Sequence, residues 1–242
     1  MKIKNLILTI IASSFLIGCT GDAYTQLQLA ASRGEIELIK GIIAQGGDIN
    51  ETNKHGKTAL MLAAGNGRPE ATQLLLDLNA NIDAQEIDGM TALMMAASDG
   101  KTETVKLLVE NGADVNITNY YGATAMTNAA FFNHPGAVQE ILNSKQKVGI
   151  KTNENALLIT AGLGLENIMQ MLLDYGVDVN ARGKKDRTPL MAAIEFDHIG
   201  TVKLLLKNNA DARAKDTDGE SIIQIAEDNG NKEIIALLKS YL

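Results

Sequence analysis

The chain has few of the residues that build catalytic, redox or metal centres. Its 242 residues include one cysteine, Cys19, so no intramolecular disulfide can form. Metal and phosphate signatures such as Cys-x-x-Cys, His-Glu-x-x-His and the glycine-rich phosphate loop are missing, and so are the motifs of a serine nucleophile. We therefore expect neither an enzymatic activity nor a bound metal or cofactor.

Positive charge is also in short supply. The chain carries 22 Lys and Arg against 29 Asp and Glu, a net charge of −7. The N-terminal sequence, described below, predicts that residues 1–18 are cleaved off. Their loss removes two Lys and no acid, so the net charge of the mature chain becomes −9. This acidic balance argues against DNA, RNA or an anionic membrane surface as the main ligand.

What the chain does have is one unit repeated at an almost constant period. Its start recurs after 33, 33, 33, 31, 33 and 33 residues, at Thr25, Thr58, Thr91, Thr124, Asn155, Thr188 and Ser221. Nine residues further on, a second marker recurs at Gly34, Gly67, Gly100, Asn133, Gly164, Asp197 and Gly230. Gly, Asn and Asp best tolerate the left-handed conformation that ends a helix. The fifth unit is two residues short, and residues 143–148 before it lack the usual connection.

Each unit predicts a helix, a tight stop, a second helix and a polar finger. A hydroxyl cap such as Thr58 bonds the unpaired N–H groups of the first turn. Paired small residues such as Ala63 and Ala64 then let neighbouring helices approach closely, and turn pairs such as Asp88-Gly89 end the fingers. The predicted fold class is all-α, a solenoid of about seven helix-turn-helix units over residues 24–242, with short β-hairpin fingers.

The residue pattern of these units resembles the ankyrin repeat. The family's Gly-x-Thr-Pro-Leu-His followed by paired Ala is matched by Gly56-Lys57-Thr58-Ala59-Leu60-Met61, Gly89-Met90-Thr91-Ala92-Leu93-Met94 and Thr188-Pro189-Leu190-Met191. The resemblance covers everything after about Tyr24 and implies a framework that binds a protein partner. Met61, Met94 and Met191 stand where the family usually has His, which implies that the polar link His makes between repeats is absent.

Histidines and carboxylates follow the repeat. His134 and His198 occupy equivalent places at the start of a second helix, two units apart, which favours structural capping over a shared metal. His55 lies at a finger tip, where contact with a partner is the better interpretation. Carboxylates such as Asp114 recur at the fingers, and a residue that each structural unit demands is weak support for a special acid or base.

The N-terminal residues do not follow the repeat pattern. Lys2 and Lys4 precede an apolar run over residues 6–17, too short to span a membrane and arranged like a secretory signal. Its end, Leu16-Ile17-Gly18-Cys19, resembles the bacterial lipobox, which implies cleavage before Cys19 and lipid modification of Cys19. We predict a cleaved signal peptide (residues 1–18), a lipidated Cys19 with a short tether (residues 19–23) and a repeat domain (residues 24–242). An uncleaved hydrophobic anchor is the alternative.

The expected membrane follows from the residue after the cysteine. An Asp there usually retains Gram-negative lipoproteins at the inner membrane, but this chain has Thr20. The resemblance therefore implies the outer membrane, with the domain facing the periplasm; a Gram-positive source would place it outside the cytoplasmic membrane. Thr20 to Tyr24 span at most about 18 Å when extended, so the repeats are expected close to the bilayer.

A partner is expected at positions that vary between units. The resemblance places these at the finger tips and at the last two residues of each first helix, all facing one concave groove. The three Phe residues after the signal all occupy such helix ends. The predicted aromatic strip consists of Tyr120, Tyr121, Phe131, Phe132, Leu163 and Phe196. Basic finger tips flank it, with Lys184, Lys185 and Arg187 on one side and Lys54, His55 and Lys57 on the other. Such a composition is typical of binding hot spots.

A packing role is the alternative for these aromatic side chains. Phe131 and Phe132 could turn inward and fill space left by the irregular fifth unit. Tyr120 and Tyr121 could pack on the shortened finger beside it.

The functional hypothesis is a lipid-anchored interaction module of the bacterial envelope that captures a protein partner in its groove. It would either neutralise an antibacterial toxin or support a periplasmic enzyme. A partner that exposes apolar side chains beside acidic ones would match the predicted surface. The alternative is a small apolar ligand or lipid in the aromatic strip. Polar terminal units favour a monomer.

Overall fold

The computed structural model describes residues 24–146 and 148–242. The predicted signal peptide, Cys19 and the tether lie outside these residues. Within them, fourteen α-helices follow one another in pairs, two to each predicted unit. None of these described helices is long and apolar enough to cross a membrane.

The first helix of most units begins at the hydroxyl cap that the sequence supplies. Thr58 Oγ1 accepts a hydrogen bond from the N–H of Met61 at 3.3 Å, and its counterparts in all but the fifth unit do the same. Met61 Sδ in turn accepts from the N–H of Thr58 at 3.4 Å, so a thioether completes the cap. The first helices are α1 (Gln26–Arg33), α3 (Ala59–Gly65), α5 (Ala92–Ser98), α7 (Ala125–Phe131), α9 (Ile150–Leu163), α11 (Pro189–Glu195) and α13 (Ile222–Asn229).

The predicted helix stops are confirmed. All seven markers, from Gly34 to Gly230, have positive φ angles between 57° and 76°. The chain then reverses into the second helices: α2 (Ile36–Ala44), α4 (Pro69–Asp77), α6 (Thr102–Glu110), α8 (Pro135–Leu142), α10 (Glu166–Asp174), α12 (Ile199–Lys207) and α14 (Lys232–Lys239).

The core is one continuous cluster between two layers of helices. First helices of successive units pack on one another, and so do second helices. Paired alanines such as Ala63 and Ala64 are fully buried between the first helices, and larger side chains such as Leu75 and Leu108 fill the space towards the second helices. The predicted all-α solenoid is confirmed.

The fingers are tight turns rather than β-hairpins. Each finger is named after the unit whose first helix follows it. In the second unit's finger, the N–H of Asn53 donates to the carbonyl of Lys57 at 3.1 Å, and Asn53 Oδ1 accepts from the N–H of His55 at 2.9 Å. The described residues contain no strand, and their one isolated bridge joins Lys215 and Ser221. A side-chain amide or carboxylate closes the turn at Asn53, Glu86, Asn119 and Asp216, whereas the finger with Gly183 at this position has only the backbone bond to the carbonyl of Arg187.

Neighbouring fingers are joined tip to tip. The N–H of Ile87 donates to the carbonyl of His55 at 3.1 Å, and the N–H of Tyr120 donates to that of Asp88 at 3.0 Å. Near the C-terminus the N–H of Thr217 donates to the carbonyl of Lys185, also at 3.0 Å. These bonds fix the fingers of consecutive units side by side.

The fifth unit departs from this pattern. Helix α9 begins at Ile150, five residues before Asn155, the residue that opens the fifth unit in the sequence pattern. Residues 150–161 contain no glycine to make a finger turn, and the chain continues as a helix instead. Gly149 N–H bonds Asn116 Oδ1 at 2.7 Å, which ties the start of α9 to the third unit's connection. The row of fingers is therefore interrupted here.

Replacement of Gly89 by Ala tests the finger contacts. Gly89 has φ +81°, and an added Cβ would lie 3.0 Å from Asn119 Cα and 3.1 Å from Tyr120 N. Gly112→Ala is the matched control, because Gly112 has φ +88° but open space around it. We expect Gly112→Ala to lower the free energy of unfolding by about 1–2 kcal/mol, and Gly89→Ala by about 2–5 kcal/mol. Equal losses in urea unfolding would show that the finger contact adds nothing.

Candidate functional site

The aromatic residues at the end of α7 are exposed. Phe131 is the last residue of this helix and Phe132 follows it, with exposed fractions of 56% and 52%. Their ring centroids lie 5.1 Å apart with the planes at 87°, an edge-to-face pair. The rings thus contact each other on the surface, and the alternative in which they turn inward does not describe this structure.

The tyrosine pair is exposed at a finger tip. Tyr120 and Tyr121 lie on the fourth unit's finger and are 79% and 83% exposed. On the N-terminal side, the ring of Tyr120 lies beside Gly89 of the preceding finger. On the other side, α9 stands where the fifth finger would be, so packing on a shortened finger does not occur.

The strip continues across the fifth and sixth units. Leu163 is 42% exposed at the end of α9, and Phe196 is 60% exposed at the end of α11. The Phe196 ring lies against Gly162, where an added Cβ would meet it at 3.7 Å. The side chains of the predicted strip are therefore all exposed: Tyr120 and Tyr121 lie at a finger tip, and Phe131, Phe132, Leu163 and Phe196 lie at equivalent helix ends of three consecutive units.

The predicted basic patch beside Phe196 needs correction. Arg187 pairs with Glu220 at 3.3 Å, with Asp216 at 3.6 Å and with Glu195. Lys185 pairs with Asp218 at 3.0 Å. Carboxylates of the sixth and seventh units thus balance these two charges, and only Lys184 of the predicted trio extends into solvent without an ion pair to a described residue. The sequence pattern could not reveal this, because most of the acids lie about 30 residues further along the chain.

The protonation of these groups reflects the same contacts. Burial acts to raise the pKa of the Asp216 carboxyl, but the N–H groups of Glu220 and Asp218, together with the Arg187 guanidinium, outweigh it and lower the pKa. The hydrogen bond and charge of Asp218 raise the pKa of Lys185. Both shifts favour the charged forms, so the charges of Arg187 and Lys185 are already compensated by carboxylates of this chain.

The other basic finger tip lies apart from the strip. Lys54 and His55 are exposed on the second unit's finger, with the third finger between them and the tyrosine pair. The carbonyl of His55 accepts from Ile87, which fixes the position of this tip. Any partner that reaches both regions must cross the third unit.

The other two histidines are structural, but not as caps. His134 Nε2 donates to the carbonyl of Ser98 at 2.9 Å, and His198 Nε2 donates to that of Gly162 at 3.0 Å. Each bond reaches the end of the preceding unit's first helix, and neither histidine caps its own helix. A polar link between units is therefore present, at a different position from the one the family usually uses. No group of three or more metal-ligating side chains occurs in residues 24–146 and 148–242.

Sequence reasoning missed Glu86. This side chain is 7% exposed and lines a cavity of about 430 Å³ between the second and third units. Its Oε1 accepts from the N–H of Asp88 at 3.0 Å and from that of Met90 at 3.1 Å. The signal was available in the repeat, because the equivalent finger positions hold Asn53 and Asn119, which are neutral.

Comparison with known proteins agrees with the helix-pair architecture. A family model described as ankyrin repeats (3 copies) matches residues 6–86, 27–119, 78–152 and 126–216. The human ASB11 ankyrin repeat domain superposes with a TM-score of 0.78 at 22% sequence identity, over 90% of this chain and 97% of that one. At this identity, the likeness concerns the fold alone.

Sequence relatives match over shorter segments. Alpha-latrocrustotoxin-Lt1a of Latrodectus tredecimguttatus is 39% identical over 71 residues, which is 29% of this chain and 5% of that protein. The 2-5A-dependent ribonuclease of Mus musculus is 48% identical over 42 residues, 17% of this chain and 6% of that protein. The matched segments are thus small parts of both relatives.

Replacement of Phe132 by Asp tests whether the end of α7 contributes to stability. Since the Phe132 ring is about half exposed and pairs edge to face with the exposed Phe131, we expect the free energy of unfolding to fall by less than about 1 kcal/mol. Met126→Asp in the same helix is the control, because Met126 is fully buried and its replacement should cost about 3 kcal/mol or more. Urea unfolding followed by circular dichroism measures both. A similar loss for the two variants would assign Phe132 to the core.

Proposed function

The chain belongs to the ankyrin-repeat family, and we propose that it is a non-enzymatic module whose aromatic strip binds a protein partner. Ankyrin-repeat domains mediate protein–protein interaction. The framework positions of this chain are buried, and five of the eight exposed aromatic side chains among the described residues lie at the helix ends and finger tip of the fourth and sixth units. Exposed Phe and Tyr rings lose water on association and order few rotatable bonds, so they are effective anchors.

The exposed strip is the observation that supports this proposal most directly. Five aromatic side chains, each more than half exposed, lie on the fourth and sixth units: Tyr120, Tyr121, Phe131, Phe132 and Phe196. Leu163 lies at the equivalent helix end of the fifth unit and is 42% exposed. A small apolar ligand, the alternative, prefers an enclosed cavity that covers most of its surface. These side chains form an open face, which favours a macromolecular partner.

We propose further that the module is a lipoprotein of the bacterial envelope. The support is the signal-like N-terminus and the single cysteine at its end, Cys19. With Thr20 after the cysteine, the proposed site is the outer membrane with the repeats facing the periplasm. A monomer that neutralises an antibacterial toxin or supports a periplasmic enzyme would suit this position.

Partner capture with a variant of the strip tests the binding proposal. The purified protein and its Phe131→Asp/Phe132→Asp variant are used as bait in extracts of the native cell envelope. We expect a protein that the wild type retains and the variant loses, because two charges would replace the apolar anchors. Tyr241→Asp is the control, since Tyr241 is 50% exposed outside the strip and its replacement should leave capture unchanged. Equal retention by all three proteins would exclude the strip as the binding site.

The intact mass of the native protein tests the anchor. We expect the chain to begin at Cys19 and to carry fatty acyl groups, and a Cys19→Ala variant to carry none. Several acyl chains would hold the protein in the membrane fraction. A native mass that includes residues 1–18 without acyl groups would instead identify an uncleaved anchor.

A further inference from the structure

The third unit's finger holds a buried carboxyl group that makes no ion pair with a described residue. Glu86 is more than nine-tenths buried, and its Oε1 is occupied by the N–H groups of Asp88 and Met90. Its Oε2 makes no hydrogen bond or ion pair within the described residues. Oε2 is also not shut away, since the described atoms that are both buried and unpartnered are Asn153 Oδ1 and Thr201 Oγ1. The free oxygen therefore faces the cavity that Glu86 lines.

The seventh unit shows what such a carboxylate binds. Asp216 occupies the equivalent finger position, and its Oδ1 accepts from the N–H groups of Asp218 and Glu220, both at 2.9 Å. Its second oxygen, Oδ2, lies 3.6 Å from the guanidinium of Arg187. Two carboxylates thus have the same backbone contacts, and only one of them has a cation.

The residue equivalent to Arg187 does not supply that cation to Glu86. Lys57 precedes Thr58 as Arg187 precedes Thr188, and it lines the same cavity. Its ammonium makes no ion pair with a described residue. A lysine also presents a compact charge, whereas the planar guanidinium of Arg bonds two acceptors at once.

The rest of the cavity also favours a cation on an apolar stem. Asp88 and Asp99 add two exposed carboxylates to its wall, so its three acids outnumber its one lysine. Met61, Met90 and Met95 are among the apolar side chains that line it, together with Leu62 and Tyr24. Thioether side chains adapt to the shape of what they contact, and the methylene groups of an arginine can lie along them while its head remains polar.

We propose that the cavity at Glu86 binds an arginine side chain presented by the protein partner. This inference rests on the proposed function and adds a second contact with the partner, apart from the aromatic strip. The guanidinium bonds Glu86 Oε2 with Asp88 or Asp99 nearby, as Arg187 bonds Asp216 in the seventh unit. Charge complementarity decides the occupant, because an acidic or neutral side chain would leave the buried carboxylate uncompensated. The proposed arginine replaces the expectation, drawn from the sequence, that the partner exposes acidic side chains beside its apolar ones.

The first test needs no mutation. The capped peptide acetyl-Leu-Arg-Leu-amide is titrated into the purified protein at 150 mM salt, with amide chemical shifts as the readout. We expect saturable shifts around residues 86–99. The matched peptide with citrulline keeps the shape and loses the charge, and we expect it to bind at least about tenfold more weakly. No saturable shifts, or equal binding of the two peptides, would overturn the proposal.

Glu86→Gln locates the binding to this carboxylate. The variant should fold, because Asn53 and Asn119 show that an amide oxygen closes this turn. We expect it to bind the arginine peptide at least about tenfold more weakly than the wild type. Asp216→Asn is the control, since that carboxylate already holds Arg187, and its replacement should leave peptide binding unchanged. Equal binding by Glu86→Gln and the wild type would overturn the proposal.

Partner capture separates this inference from the proposed function. If a captured partner depends on Phe131 and Phe132 but binds Glu86→Gln as tightly as the wild type, the arginine site is wrong and the proposed function stands. If the arginine peptide binds at Glu86 while no partner depends on the aromatic strip, the proposed function is wrong and the cation site stands.

Discussion

The packing of each unit on its neighbours is the constraint on which the rest of this molecule depends. A single helix pair is too small to bury a core, and stability comes from contact between adjacent units. Paired alanines such as Ala63 and Ala64 allow the first helices to approach, and left-handed stops such as Gly67 turn the chain back at the right distance. Since these positions accept few residue types, the units differ most at the helix ends and the finger tips.

The fifth unit shows how a local irregularity changes the surface of a repeat array. Because α9 extends through residues 150–154, no finger covers the exposed side of Tyr120 and Tyr121. The core remains continuous through this unit, since Ala156, Leu157 and Ala161 are fully buried. The core is therefore continuous at the interruption, while the finger of Tyr120 and Tyr121 has no finger on its C-terminal side.

Features that depend on a few neighbouring residues were predictable from the sequence. The caps, the left-handed stops and the exposed ends of the first helices all follow from residues within one unit. The ion pairs were not predictable in the same way, because Arg187 pairs with Asp216 and Glu220, which lie about 30 residues further along the chain. The helical start of α9 was missed for a related reason: the absence of a finger says nothing about what replaces it. Glu86 was missed because its burial depends on the adjacent finger.

The equivalent finger positions act as an internal comparison of charge. Asn53, Glu86, Asn119 and Asp216 all close the same turn by accepting two backbone N–H groups. Turn closure therefore needs an oxygen and no charge, so a carboxylate here requires another explanation. At Asp216 the explanation is Arg187, which joins the last two units. At Glu86 no such residue exists in the described chain, and its second oxygen faces an open cavity. A carboxyl group that the described fold leaves unpaired beside a cavity is the kind of group that a partner would complete.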